Sequence, residues 1–214
     1  MVDLLGTSLF GWGNSQVVEN DFGVEYDGRV TVAKLQVGLS GSAREIQTDL
    51  EHLAAHADTD TPEGLHAVLQ ETVLAHMRNP EYCLYAYSTG AALGDPDRAE
   101  QRFNQYSVEE RSKFKTETRV NVDGMSRRGE LQKSAVGLGG PEELIVVTIL
   151  VAADGAFKLP KITSRNELRT ALSRLGSLVP DDVMAVEVLW TPEEEGDYFT
   201  VEDLAMDYPL LNTL

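Results

Sequence analysis

His52 and His56 stand four residues apart in the run HLAAH, the spacing that brings two imidazoles to one face of a helix, where a metal could be held. At about 100° per residue both fall opposite Ile46, Leu50 and Leu53, hence on the water side. Glu51 precedes His52 rather than following it, so the run is not a zinc-protease motif. No third ligand is specified, a solvated helix face is favoured, and no metal is expected.

The remaining chemistry-bearing residues are scattered. His76 falls within the apolar arc of a second helix and His66 at its edge, which suits core or interface histidines. Cys83 sits between Tyr82 and Leu84 in a strand pattern and would be nucleophilic only with a lowered pKa. No basic neighbour is indicated, so a buried structural thiol is expected. The glycines of AVGLGGPEEL precede a strand, the reverse of a phosphate loop, which follows a strand and opens a helix. Asp58 with Asp60, and Glu193 to Asp197, offer oxygen ligands without the spacing of a calcium loop. No set of nucleophile, base and oxyanion donors coheres. No catalytic residue and no cofactor is therefore assigned.

One concentration of positive charge stands out: Arg111, Lys113, Lys115 and Arg119, followed by Arg127 and Arg128. Glu109, Glu110 and Glu117 interleave with it, so a salt-bridged helix face competes with a docking surface for an acidic partner or lipid headgroups. These six residues form the candidate interaction surface.

The elements that must position such groups follow from pattern. Val30 to Val37 reads as a strand with imperfect alternation. Ser42 and Glu45 have capping-box spacing and open a helix to about Ala57. Thr61-Pro62-Glu63 opens a second, to about Arg78, burying Leu65, Val68, Leu69 and Val73. Tyr82 to Ser88 is a strand, Gly90 to Asp97 a turn, and Asp97 to about Val120 one or two helices anchored by Phe103, Tyr106, Val108 and Phe114. Met125 to Pro141 is a flexible loop. IVVTILVAA, within Leu144 to Ala152, is apolar on both faces and thus a central strand. Ser164 and Glu167 repeat the capping-box spacing before Leu168, Leu172 and Leu175. Val183 to Trp190 is the last long strand. Its ladder stops near Thr191, because Pro192 has no backbone donor. Thr200 caps a short helix before Tyr208-Pro209.

The order βααβα(α)βαβα predicts an α/β (mixed α+β) fold, a roughly four-stranded mixed sheet packed by five or six helices. A parallel βαβ unit is expected at the C-terminal end, pairing Leu144 to Ala152 with Val183 to Trp190. Residues 1–27 read as a poorly ordered arm and 28–214 as a single globular domain.

The 214 residues are 42% hydrophobic, enough for one sizeable core. A formal charge of −17 opposes nucleic acid and anionic membrane as non-specific partners. From Asp181 onward there are ten acidic residues and no Lys or Arg, whereas Gly124 to Ser177 holds eight basic against five acidic residues. A single cysteine excludes an intramolecular disulfide and fits a reducing compartment. No run approaches the roughly 18 apolar residues of a membrane span.

Six separated blocks carry a likeness: TVAKLQVGLSGSAREIQ, TPEGLHAVLQETVLAHMRNPEY, FNQYSVEERSKFKTET, GPEELIVVTILVAA, VEVLWTPEEEGDYFT and the closing DYP. From about Val30 to Leu211 the chain resembles the family called domain of unknown function 1517, found in cyanobacteria and chloroplasts. The resemblance brings no known active site. It implies association with thylakoid or envelope membranes, on a cytoplasmic or stroma-like side, through a Gly-rich hydrophobic N-terminal region of the kind many relatives carry. Met1 to Asp27 offers only Leu4, Leu5, Leu9, Phe10 and Trp12 between glycines, too short and broken to span a bilayer. The resulting expectation is a non-enzymatic interaction or regulatory domain, soluble as given, with a protein partner; a small-ligand binder or enzyme with a site assembled from distant residues is the alternative. Homo-oligomerisation through the second helix or a strand edge is also open.

Overall fold

β-Branched residues restrict the backbone to extended conformations and pack well on a pleated surface, and they supply six of the eleven residues of LIVVTILVAAD, a strand at the heart of this protein. A computed structural model describes residues 28–43, 46, 48, 50, 53, 59–122, 132–133, 143–192 and 197–214, without the side chains of 114–122, 132–133 and 197. Strand β1 (Val30–Ser40) is buried at all eleven positions and pairs with β2 (Cys83–Leu93) on one side. On its other side lies β4 (Leu144–Asp154), whose outer neighbour is β5 (Val183–Thr191). The short β7 (Asn212–Thr213) completes the sheet in the order β5-β4-β1-β2-β7. A second, two-stranded sheet joins β3 (Gln132–Lys133) to β6 (Asp197–Tyr198).

Every pairing in the five-stranded sheet is antiparallel, which corrects both the four-stranded mixed sheet and the parallel βαβ unit expected at the C-terminal end. Residues 155–164 are the reason. They leave β4 at the Val30 end of the sheet, where Gly155 N bonds Arg29 O at 2.7 Å. They then pass Ser88, whose hydroxyl donates to Pro160 O at 2.5 Å, and reach the opposite end, where Arg165 bonds Pro80 O. About ten extended residues at roughly 3.3 Å each cover the length of the sheet. The following helix therefore runs back, and β5 starts beside the end of β4, with Val183 opposite Ala153.

Four helices are described: α1 (Pro62–Arg78), α2 (Pro96–Val122), α3 (Arg165–Leu175) and α4 (Val201–Asp207). Ile46, Thr48, Leu50 and Leu53 are also helical, with Ile46 and Leu50 in the core. The caps at Thr61, Ser164 and Thr200 fall where the sequence puts them. Thr61 Oγ1 accepts from Gly64 N at 3.1 Å, and Thr200 with Asp203 forms a reciprocal capping box. One face of the sheet, through Leu35, Val37, Leu39, Val147, Ile149 and Val151, meets Leu65, Val68, Leu69 and Val73 of α1 and Leu168, Ala171, Leu172 and Leu175 of α3. The other face carries α2 and, beyond it, α4.

Two further expectations are corrected. The turn assigned to Gly90 to Asp97 is strand as far as Leu93. Gly90 belongs there because a Cβ would lie 3.0 Å from Val32 O and 3.3 Å from Ala33 Cα, so only glycine lets the strands approach. Val108, proposed as a core anchor, is 66% exposed, whereas Phe103 and Tyr106 are buried as expected. The arm 1–27 and most of the 125–141 loop lie outside the described residues.

Candidate functional site

Alternate residues of a strand face opposite sides of the sheet, so β1 presents Leu35, Val37 and Leu39 to α1 and α3, and Val30, Val32, Lys34 and Gln36 to α2. The first half of α2 answers with apolar groups: Ala99, Phe103 and Tyr106 pack on Val30, Val32, Leu150, Ala152 and Ala185. Further along, the sheet becomes polar. Lys34, Gln36, Thr148 and Glu187 are all buried, and α2 sets a buried Glu110 against them. Register places Lys34, Leu150 and Glu187 in one cross-strand row, with Gln36 and Thr148 paired in the next.

The seam is densely bonded. Glu110 Oε1 receives Lys34 Nζ at 3.2 Å and Gln36 Nε2 at 3.0 Å. Its Oε2 receives Lys113 Nζ at 2.8 Å and the Thr148 hydroxyl at 3.4 Å. Glu187 Oε1 accepts from Arg111 Nε at 2.8 Å and from Arg111 Nη2. Lys34 also lies 4.7 Å above the Tyr106 ring, and Lys113 3.7 Å above that of Tyr208, favourable cation–π geometry. Each buried charge thus meets an opposite one, as enclosed charge requires. The seam is suited to fixing the register of α2 on the sheet rather than to chemistry.

Of the six residues of the candidate interaction surface, Arg111 and Lys113 take part in this seam. Lys115 and Arg119 lie on the described backbone of α2, without described side chains. Arg127 and Arg128, like His52, His56, Asp58 and Glu193 to Gly196, lie outside the described residues. Among the described side chains, the seam holds Arg111 and Lys113 of that set. Sequence reasoning passed over Lys34, Gln36, Thr148 and Glu187. Their signal was present in VTVAKLQV, IVVTILVAA and VEVLW, where isolated polar residues interrupt otherwise apolar strands.

The opposite face holds a cleft of about 290 Å³ between the C-terminal end of α1, the turn before β2, and α3. His76, Met77, Pro80, Cys83, Arg165, Asn166, Leu168, Arg169 and Leu172 line it. α1 delivers His76 because Asn79-Pro80 ends that helix just beyond it, and Asn79 Nδ2 seals the end by donating to Ala75 O at 2.9 Å. α3 delivers Arg165 and Arg169 one turn apart, on the same face. Its start is fixed by Ser164, whose side chain accepts from Glu167 N, while Glu167 Oε2 accepts from Thr163 N at 2.7 Å and from the Ser164 hydroxyl.

His76 and Cys83 are the two groups in this cleft with potential for acid–base or nucleophilic work. His76 is buried as expected, and burial pushes its pKa below the usual histidine value although a backbone bond to Thr72 opposes this. Nδ1 lies 2.8 Å from Thr72 O; a carbonyl only accepts, so Nδ1 carries the proton and Nε2 of the neutral ring is left as a buried acceptor with no hydrogen-bond partner. Cys83 is also buried, with its thiol directed at Asn79 O. Burial raises its pKa to about 11 against the pull of nearby Arg165. His66, by contrast, engages Leu178 O at 2.9 Å through Nε2. No group of three or more His, Cys, Asp or Glu suited to a metal occurs among the described residues. Nor, among them, is any helix long and apolar enough to cross a membrane.

Comparison with known proteins bears on the whole described domain. The family model described as protein of unknown function (DUF1517) matches residues 29–214. The chain belongs to the DUF1517 family. Among relatives, the chain is 47% identical over 186 residues to FLUCTUATING-LIGHT-ACCLIMATION protein 1, chloroplastic, of Arabidopsis thaliana, covering 87% of this chain and 47% of that protein. It is 40% identical over 211 residues to Protein FLAP1 homolog A of Synechocystis sp. (strain ATCC 27184 / PCC 6803 / Kazusa), covering 94% of this chain and 62% of the relative. The chain thus spans less than two thirds of the length of either. No solved structure matches. The family resemblance and its chloroplast and cyanobacterial distribution agree with the sequence reading.

Proposed function

We propose that this protein is a non-catalytic interaction or regulatory domain that works in acclimation to changing light, near photosynthetic membranes and on their stroma-like or cytoplasmic side. The observation that carries the non-catalytic part is the state of Cys83. A thiol whose pKa is raised to about 11 is almost wholly protonated near neutrality and is a poor nucleophile. His76 does not hydrogen-bond to it but to Thr72 O, so no base activates the sulfur. The relation to a protein named for fluctuating-light acclimation supports the physiological part.

The partner on this reading is a protein held at those membranes. The test is quantitative recovery of cross-linked proteins from cyanobacterial or chloroplast membranes by the immobilised chain, against an acidic control protein of matched net charge. One or a few proteins enriched over that control support the reading. Equal recovery by both overturns it.

A further inference from the structure

Strand β2 pairs with β1 from Cys83 to Leu93, but its outer side faces β7 only at Tyr85 and Ala86. Leu214 N bonds Leu84 O at 2.9 Å, which flanks the Tyr85–Thr213 pair and makes Ala86 an outward-bonding residue. Bonding direction alternates along a strand, so Ser88, Gly90 and Ala92 also direct their backbone outward. Their outer N–H and C=O groups have no backbone partner among the described residues. Gly90 is exposed, and Ser88, Thr89 and Ala91 to Leu93 are half-buried. The segment 155–164 meets this stretch through the Ser88 hydroxyl, not through the backbone edge. An open edge is a template for strand addition, and native edges usually block it with charge, proline or a bulge. From Cys83 to Leu93 there is neither a charged residue nor a proline, in a chain that is 25% charged. The register shift of β2 against β1 lies at its far end, opposite Gly38 and Leu39.

We propose that this edge pairs with the same edge of a second copy of the chain, antiparallel and two-fold about Gly90. Gly90 stands midway between Ala86, where β7 stops, and Gly94, where β2 has ended. In that register Gly90 faces its own counterpart and Ser88 faces Ala92 of the second copy, each pair exchanging N–H···O bonds in both directions. Ala86 falls opposite Gly94 of the second copy, so β7 lies beyond the end of the incoming strand and stays in place. Self-pairing thus uses all of the free stretch and nothing more, as a closed two-fold interface requires. Side chains do not oppose the approach. Ser88, Gly90 and Ala92 are small on one face, and on the other Thr89 meets Ala91 of the second copy. The formal charge of −17 on each copy is carried outside β2 and repels, so association tightens as salt screens it. Docking by charge would weaken instead. The inference goes beyond the partner-protein reading and does not rest on it.

Sedimentation equilibrium of the full chain across concentration and salt measures the association, and amide hydrogen exchange followed by NMR locates it. The expected result is a species of twice the 23.5 kDa chain mass, favoured by salt. Exchange at Ser88, Gly90 and Ala92 slows as that species forms, while amides of α3 hold their rates. Ala92→Pro removes one outward donor from each copy and leaves the ladder to β1 intact, since proline is tolerated where the N–H faces away from the sheet. It is expected to weaken association roughly tenfold or more. A single-chain mass up to about 1 mM at high salt, exchange at the three amides that is independent of concentration, or an Ala92→Pro chain that associates as tightly as the original each overturn the proposal. The exchange measurement on the unsubstituted chain stands whether or not the proline variant folds. None of these outcomes depends on a partner protein, so a failure here and a failure of membrane-protein recovery are distinguishable.

Discussion

Arg111 directs two guanidinium nitrogens onto one oxygen of Glu187, Nε at 2.8 Å and Nη2 beside it. The glutamate side chain is 3% exposed, that of the arginine 27%. A helix cation reaches across to a carboxylate in the interior of β5, and the pair bolts helix to sheet at a point where neither could be apolar alone. Lys34 and Glu110 repeat the arrangement with the charges reversed, the cation on the strand and the carboxylate on the helix. Two oppositely directed pairs define the register of α2 more narrowly than apolar contact would, because sliding the helix until Lys113 stood in the place of Glu110 would set it against Lys34.

Removing one member of the Arg111–Glu187 pair leaves the other buried without compensation. Arg111→Met is therefore expected to lower unfolding free energy by about 3 kcal/mol, and the double variant Arg111→Met with Glu187→Leu to recover most of that loss. Urea unfolding of the two single variants and the double variant measures the coupling. A loss within about 0.5 kcal/mol for Arg111→Met would mean that the pair behaves like an exposed one.

The seam also shows where the sequence stops being readable. Helix starts at Thr61, Ser164 and Thr200 were legible because capping is local chemistry: one side chain, three residues, one donor. The apolar run of β4 was legible because a strand covered on both faces has no polar alternation. Strand direction was not. Whether β5 runs with or against β4 depends on residues 155–164 being extended along the sheet, which their own types do not dictate. Lys34 and Glu187 gave only half a signal, a charge inside a buried strand, and its partner on α2 lies about 75 residues away with nothing local to mark it. The cleft is a harder case still. His76, Cys83 and Arg169 come from three elements, and each alone reads as an ordinary core or surface residue.

At the start of α3, Ser164 accepts from the backbone of Glu167, which returns the contact through its carboxylate to Thr163 and Ser164. Ser164→Ala removes one side of this cap and is expected to cost about 1 kcal/mol, with Ser164→Asp restoring most of it. Thermal unfolding of the two variants checks the order. Because Arg165 and Arg169 ride on this helix, Ser164→Ala should also raise the amide exchange of its first turn.

Cys83 is expected to resist alkylation by iodoacetamide in the folded protein at pH about 8 and to react as an ordinary thiol once urea unfolds the chain. Its pKa of about 11, against an ordinary 9.0, also sets a stability window. The folded thiol holds its proton more tightly than the unfolded one, so its contribution is complete below 9.0 and is lost as pH rises toward 11. Two units correspond to about 2–3 kcal/mol. Cys83→Ala should flatten that alkaline decline, and an unchanged decline would assign it to other groups.

His76 carries the opposite dependence. Burial lowers its pKa from the ordinary 6.5, so on acidification the unfolded chain takes up a proton that the folded chain refuses. The stability contribution of the neutral ring is present above 6.5 and is lost as pH falls below it. The charged groups lining the same cleft, Arg165 and Arg169, give an incoming imidazolium proton no counter-charge. Urea unfolding at pH about 8, 6 and 5 should therefore show a decline for the unsubstituted chain that is shallower in His76→Gln, which cannot take up that proton. Carboxylates titrate in both chains alike, so the difference between the two curves isolates the histidine. Parallel curves would mean that the ring charges without cost and that its Nε2 is reached by solvent.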